Sequence, residues 1–148
     1  MIRRAEFPQD RAAIMAGAHD FVRRMAGAEL MPTDPVKLAA AVDRVLDLPG
    51  VEVYMADRGR MVGAIGILYA PYLWNPDLAW ADELFFWCAE DAPPATALRL
   101  LRHAEAAMRA RGVRGRSFAS LPSSPETLED VYSRMGLKPM QVTWAGAV

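Results

Sequence analysis

The sequence predicts an α/β (α+β) domain built on one mixed, mostly antiparallel sheet with helices on its faces. Three observations predict it. Strand-type and helix-type patterning follow one another in the order strand, two helices, a three-strand meander, helix, strand, helix, strand. The meander strands are joined directly and so run antiparallel, whereas the later strands are joined by helices, which gives parallel crossovers. The 148 residues, 53% hydrophobic and 24% charged, suffice for one core and one domain spanning 1–148. About six or seven strands and about four helices are expected, arranged as a helix-covered sheet.

Residues 2–6 form a short extended start. Pro8 and Gln9-Asp10 open a helix whose apolar positions Ile14, Phe21, Val22 and Met25 repeat at helical spacing. A loop ends in Pro32-Thr33-Asp34-Pro35. Thr33 or Asp34 can cap a second helix there, with Pro35 in its first turn, where a missing N–H costs little. Leu38, Val42, Val45 and Leu46 line one face of that helix, and Pro49-Gly50 ends it. Val51 to Ala56 and Met61 to Tyr69 read as strands around the turn Asp57-Arg58-Gly59. A loop with Pro71 and Pro76 leads to a third strand, Ala79–Cys88. Leu100, Leu101, Ala104, Ala107 and Met108 mark the buried stripe of a helix that Gly112 ends. Arg114 to Ser120 reads as a strand, Ser124-Pro125-Glu126 starts a short helix ending at Met135-Gly136, and Gln141 to Trp144 reads as a last strand.

Composition narrows the function classes. A formal net charge of -1 gives no global pull toward nucleic acid or an anionic membrane. The start MIRRAEFPQD has no apolar signal-peptide core, and no apolar run approaches a membrane span. Cys88, the only cysteine, cannot form an internal disulfide, which suits a cytoplasmic location. His19 and His103 are the only histidines and belong to no metal-binding spacing, so no metal site is expected. The arginines 109, 111, 114 and 116 read as a solvated helix end and strand start. Tyr69 to Pro76 carries three aromatics, either a partner or substrate surface or a buried lid.

Several segments resemble the GNAT N-acyltransferase superfamily. Arg60-Met61-Val62-Gly63-Ala64-Ile65 looks like its strand after the hairpin turn. Glu83-Leu84-Phe85-Phe86-Trp87 looks like its fourth strand, in the aromatic form common in phage and prophage members. Ala97-Leu98-Arg99-Leu100-Leu101 with Ala104-Glu105 looks like the central helix, and Val131 to Pro139 like the closing "L-Y-x-x-x-G-F-x-P" segment. The resemblance covers essentially the whole chain and implies the GNAT fold. It implies acetyl-CoA as the acyl donor, with the backbone of Phe86, Trp87 and Cys88 pairing with the pantetheine arm where the fourth and fifth strands splay. It also implies that the amides of Ala95, Thr96 and Ala97, at a helix entrance favourable to anions, hold the pyrophosphate. This chain departs from the family pattern there. Ala92 replaces a basic or amide residue, Ala95 replaces the first glycine, and Pro93 and Pro94 each lack a backbone donor.

Amine acylation needs a base for the ammonium proton and an acid for the leaving thiolate. Glu83 lies in an otherwise apolar strand, where burial raises a carboxyl pKa. The resemblance gives it the role of base, commonly through water, and gives Tyr132 the role of general acid; a carboxylate paired with an arginine and a plain core tyrosine are the structural alternatives. Pro125 stands where the family often has an asparagine. Cys88 reads as a buried, inert thiol. The expected function is an acetyl-CoA-dependent N-acyltransferase attacking from an unidentified amine in a ternary complex. The altered loop keeps open a catalytically inactive GNAT-shaped binding or structural module, part of a phage-related assembly. A homodimer or an assembly partner fits the resemblance, since GNAT domains often pair.

Overall fold

The structure is a computed structural model and describes residues 1–25, 33–121 and 124–140. The expected strand from Gln141 to Trp144 lies outside them, as does most of the loop before Asp34. The elements are β1 (Ile2–Arg4), α1 (Arg11–Arg24), α2 (Pro35–Leu46), β2 (Val51–Asp57), β3 (Met61–Tyr72), β4 (Asn75–Cys88), α3 (Thr96–Ala110), β5 (Gly115–Ser117) and α4 (Thr127–Arg134). They form one sheet in the order β1-β2-β3-β4-β5, antiparallel except for the parallel β4–β5 pair. This is the GNAT fold, with five strands among the described residues where about six or seven were expected.

The sheet lies between two helical layers. On β2, Val53 and Met55 face α1 and α2 with Ile14, Leu46 and Ala64. Tyr54 and Ala56 face the other way, where Leu100, Leu101, Ala104 and Met108 of α3 pack on Ile65 and Ile67 with Tyr132 of α4. This is strand alternation meeting helix periodicity. Burying each large side chain of the α3 stripe contributes roughly 1.5–3 kcal/mol.

Local chemistry sets the helix starts. The Asp34 carboxylate accepts from the amides of Val36 (2.8 Å) and Lys37 (3.0 Å), with Pro35 in the first turn, as the sequence predicts. Asp10 also precedes its helix, but its side chain makes no cap. It takes both guanidinium nitrogens of Arg3 (2.6 and 2.7 Å) and the Glu6 amide, and the Arg3 contact holds its pKa down at about 2.

Two boundaries and the reading of the arginines differ from the sequence reading. The expected loop from Pro71 to Pro76 is instead the end of a long hairpin that turns at Leu73 and Trp74. The Tyr72 and Trp80 rings stack across it at 4.5 Å, and strand pairing continues to Tyr72↔Asn75. Leu73 and Trp74 are exposed, so the aromatic segment is not a buried lid. The expected strand from Arg114 to Ser120 shortens to Gly115–Ser117, which pair with Trp80, Ala81 and Asp82, while Arg114 makes only an amide bond to the Ala79 carbonyl (2.9 Å). The arginines at the end of α3 are not simply solvated. Arg111 pairs with the buried Glu52 and Arg116 with Glu105 (2.6 Å).

Gly115 sits where β5 passes under Trp80. A Cβ there would lie 1.9 Å from the indole ring, which is held by Tyr72 and by its own hydrogen bond to Asp82 (3.0 Å). Gly115→Val is therefore expected to lower stability by about 1–3 kcal/mol through overpacking, read as a lower urea midpoint.

Candidate functional site

The site begins where β4 and β5 part. Their pairing runs only from Trp80↔Gly115 to Asp82↔Ser117, while β4 continues to Cys88 along β3. The open side of β4 therefore starts at Glu83. Ala89 donates its N–H to Val62 (3.0 Å), and antiparallel alternation then turns the polar backbone groups of Trp87 toward β3 and those of Phe86 and Cys88 toward the opening. A β-bulge precedes this stretch. Gly66 opposes Phe85 and Ile67 opposes Glu83, leaving Leu84 as the extra residue. Ala81, Phe86 and Cys88 consequently belong to the α3 side, while Phe85 packs toward α1 and α2. Bulges re-aim side chains in this way beside functional sites.

Glu83 and Tyr132 meet at the fork. The Tyr132 hydroxyl donates to the Ala119 carbonyl at 3.0 Å and reaches Oε2 of Glu83 at 3.4 Å. The Phe118 ring lies 5.5 Å from the tyrosine ring. Burial pushes the Glu83 carboxyl up to about 7, against the opposing effect of hydrogen bonds from Ala119 and Tyr132. No arginine pairs with it among the described residues. Tyr132 is 8% exposed, and burial together with the neighbouring Glu83 holds its proton on more tightly than in water. A carboxyl that ionises near neutrality thus stands beside a phenol that stays protonated. These are the properties of a base and a proton donor.

The α3 entrance offers free donors at different residues from those the sequence suggests. The Thr96 amide is bonded to the Pro93 carbonyl at 2.8 Å. The first helical acceptance from beyond α3 is Arg99 to Ala95, so the amides of Ala95, Ala97 and Leu98 have no acceptor among the described residues. No acidic residue stands in the first turn. Three unpaired donors and the positive end of a 15-residue helix fit an anion. Together with the open edge at Phe86 and Cys88, the residues fit coenzyme A in kind. Leu98 escaped the sequence reading because only the turn at Pro93 shows which amides are free.

The other candidates resolve individually. Burial pushes the Cys88 thiol up to about 11, so it remains a thiol at neutral pH. His103 packs edge-on against the Tyr54 ring at 5.1 Å. Asp82 accepts from Trp80 Nε1 and from Ser117, closing the paired end of the fork. Sequence reasoning missed Asp20 and Arg24. Arg24 donates to the Cys88 carbonyl at 2.9 Å and pairs with Asp20, which also accepts from Trp87 Nε1 at 2.8 Å. Their four-residue spacing on α1 was the available signal. Among the described residues, no group of three or more His, Cys, Asp or Glu side chains gathers to hold a metal ion, and no helix is long and apolar enough to cross a membrane.

No family model and no curated protein matches the chain by sequence. Solved structures match it over nearly its whole length. A ribosomal-protein-alanine N-acetyltransferase from Brucella melitensis biovar Abortus 2308 superposes with a TM-score of 0.73 at 12% identity, covering 100% of this chain and 99% of that one. A GCN5-related N-acetyltransferase from Ralstonia eutropha JMP134 gives 0.68 at 19% identity, covering 99% and 97%. A transcriptional regulator from Bacillus halodurans C-125 gives 0.76 at 18% identity, covering 100% and 99%. At these identities the likeness is one of fold.

Proposed function

We propose, taking the GNAT fold as the premise, that this protein is an acetyl-CoA-dependent N-acyltransferase acting on an unidentified amine. The observation that carries the reading is the Glu83–Tyr132 pair at the mouth of the β4–β5 fork, with free amides at the α3 entrance along the same side of the sheet. The residues that would hold coenzyme A are Phe86 through its open backbone groups, Cys88 through its N–H, since Arg24 occupies its carbonyl, and Ala95, Ala97 and Leu98 through their amides. When bound, the cofactor supplies an acyl group activated as a thioester.

Above about pH 7 the ionised Glu83 takes a proton from the incoming ammonium, directly or through one water. The freed amine nitrogen forms a bond to the acyl carbon as the carbon–sulfur bond breaks. Tyr132 gives its proton to the departing sulfur and is reprotonated through its contact with Glu83. The nitrogen gives up a second proton to solvent as the amide forms, so the products are an amide, a free thiol whose proton is replaced on Tyr132 by way of Glu83, and one proton released. A non-catalytic module, the alternative suggested by Pro93 and Pro94, is favoured by no observation at the fork.

Calorimetric titration with coenzyme A tests the reading. Binding is expected, and none at millimolar ligand would overturn it. Ala97→Pro probes the same site selectively. It deletes one free amide in the first helical turn, where proline is tolerated. Hydrogen bonds to charged groups are worth roughly 1.5–3 kcal/mol, so affinity for coenzyme A is expected to fall about 10- to 100-fold. Ala97→Gly keeps the amide and is expected to bind nearly as the parent does.

A further inference from the structure

We infer that Arg24 is a cofactor-binding residue whose guanidinium supplies positive charge to the diphosphate of coenzyme A. The inference rests on the coenzyme A reading above and adds to it a contact from α1, outside the α3 entrance. Arg24 lies in the last turn of α1 and reaches the open edge of β4, where its Nη2 donates to the Cys88 carbonyl at 2.9 Å. Its Nε is buried and has no hydrogen-bond partner among the described residues. A buried N–H without an acceptor is costly, and native structures rarely keep one unless a ligand or ion uses it.

Charge and position point this nitrogen at the diphosphate. From Cys88 to Leu98 the chain has no basic residue and two acids, Glu90 and Asp91. Arg60, which approaches from the β2–β3 turn, is paired with Asp91. An anion held by the free amides of Ala95, Ala97 and Leu98 therefore draws its countercharge from another segment. The contacts around Gly63 show that Arg24 is close enough to serve. Cys88 Sγ and the Leu100 side chain lie 3.1 and 3.0 Å from where a Gly63 Cβ would stand. A helical leucine leans toward the N-terminus of its helix, so the Cys88 end of β4 adjoins the first turns of α3. Asp20 steadies the guanidinium without cancelling the local charge. It accepts from Trp87 Nε1 (2.8 Å) and is shared between Arg23 (2.6 Å) and Arg24, which leaves these two arginines and one carboxylate with one net positive charge. Glu90 is exposed and acts on Arg23. A planar guanidinium matches phosphate oxygens in both shape and charge.

The test measures coenzyme A binding to the full chain by calorimetry at about 50 mM and about 500 mM salt. Arg24→Gln and Arg24→Met remove the charge, and Arg24→Lys keeps it. Arg44→Gln removes the same charge from the exposed face of α2 as a control. At low salt each neutral variant of Arg24 is expected to bind coenzyme A at least about tenfold more weakly than the parent. Arg24→Lys should recover part of that loss, and Arg44→Gln should bind within about twofold of the parent. The loss should shrink at high salt, where ions screen the attraction that the variants lack, whereas a purely structural role gives the same loss at both. Either neutral variant that unfolds cooperatively in urea is sufficient for the comparison. Neutral variants that bind as tightly as the parent, or more tightly, would overturn the inference and leave the coenzyme A reading standing. A salt-independent loss that lysine does not relieve would overturn it as well, and would make Arg24 a brace for the end of β4. No binding by the parent would remove the coenzyme A reading and this contact with it.

Discussion

Glu83→Gln is expected to lower kcat/KM for acyl transfer by about 10²–10⁴-fold, the range that a positioned general base contributes. Coenzyme A affinity should remain, because the side chain faces the amine and not the phosphates. In the parent protein kcat/KM should rise with pH through about 7, as the buried carboxyl ionises, and the variant should lack that acidic limb. Stability gives an independent readout with a fixed sign. The folded-state pKa is raised from 4.5, so between these values the unfolded chain has released a proton that the folded chain retains. The parent therefore loses stability as pH rises from about 4.5 to about 7, by an amount of the order of 3 kcal/mol, and levels off above. Glu83→Gln abolishes this loss. The variant should match the parent near pH 4 and exceed it near pH 8 in chemical denaturation. A pH-independent difference would mean that Glu83 is solvated and has no raised pKa to use.

Tyr132→Phe is expected to lower kcat by about 10²–10³-fold, since it removes the proton donor. The hydroxyl's shorter bond goes to the Ala119 carbonyl at 3.0 Å. Its loss is expected to cost about 1 kcal/mol of stability, because phenylalanine keeps the packing on Phe118. The decisive readout is the pH profile. The tyrosine hydroxyl stabilises the ionised form of Glu83, so its removal moves the Glu83 pKa further up and shifts the acidic limb of kcat/KM above about 7. A tyrosine that served the core alone would lower stability and leave both kcat and the limb unchanged.

Much of the scaffold was legible because it depends on local rules. The α3 stripe of Leu100, Leu101, Ala104 and Met108 follows helical spacing, and all four are buried. Asp34 and Pro35 mark a helix start with the bonds their side chains require. The elements that were misjudged depend on distant partners. Pro71 and Pro76 suggest a loop at the hairpin tip, yet the Tyr72–Trp80 stack keeps both strands paired. The fifth strand is shorter than its own residues suggest, because they carry no sign of how much of β4 it meets.

The same division runs through the site. Glu83 in an apolar strand already implied a raised carboxyl pKa, and Pro93 and Pro94 already implied missing donors, because both follow from residue chemistry. The sequence therefore determined the fold class and the kinds of group available for reaction. Only the tertiary structure decided their arrangement: that Glu83 meets Tyr132, and that Leu84 is bulged so that Ala81 and Phe86 share the α3 side. It likewise decided that Arg24 takes the Cys88 carbonyl and that Ala95, Ala97 and Leu98 keep the free amides. Propensity and periodicity act over a few neighbouring residues, whereas register, splay and donor direction are set by packing between segments far apart in the chain.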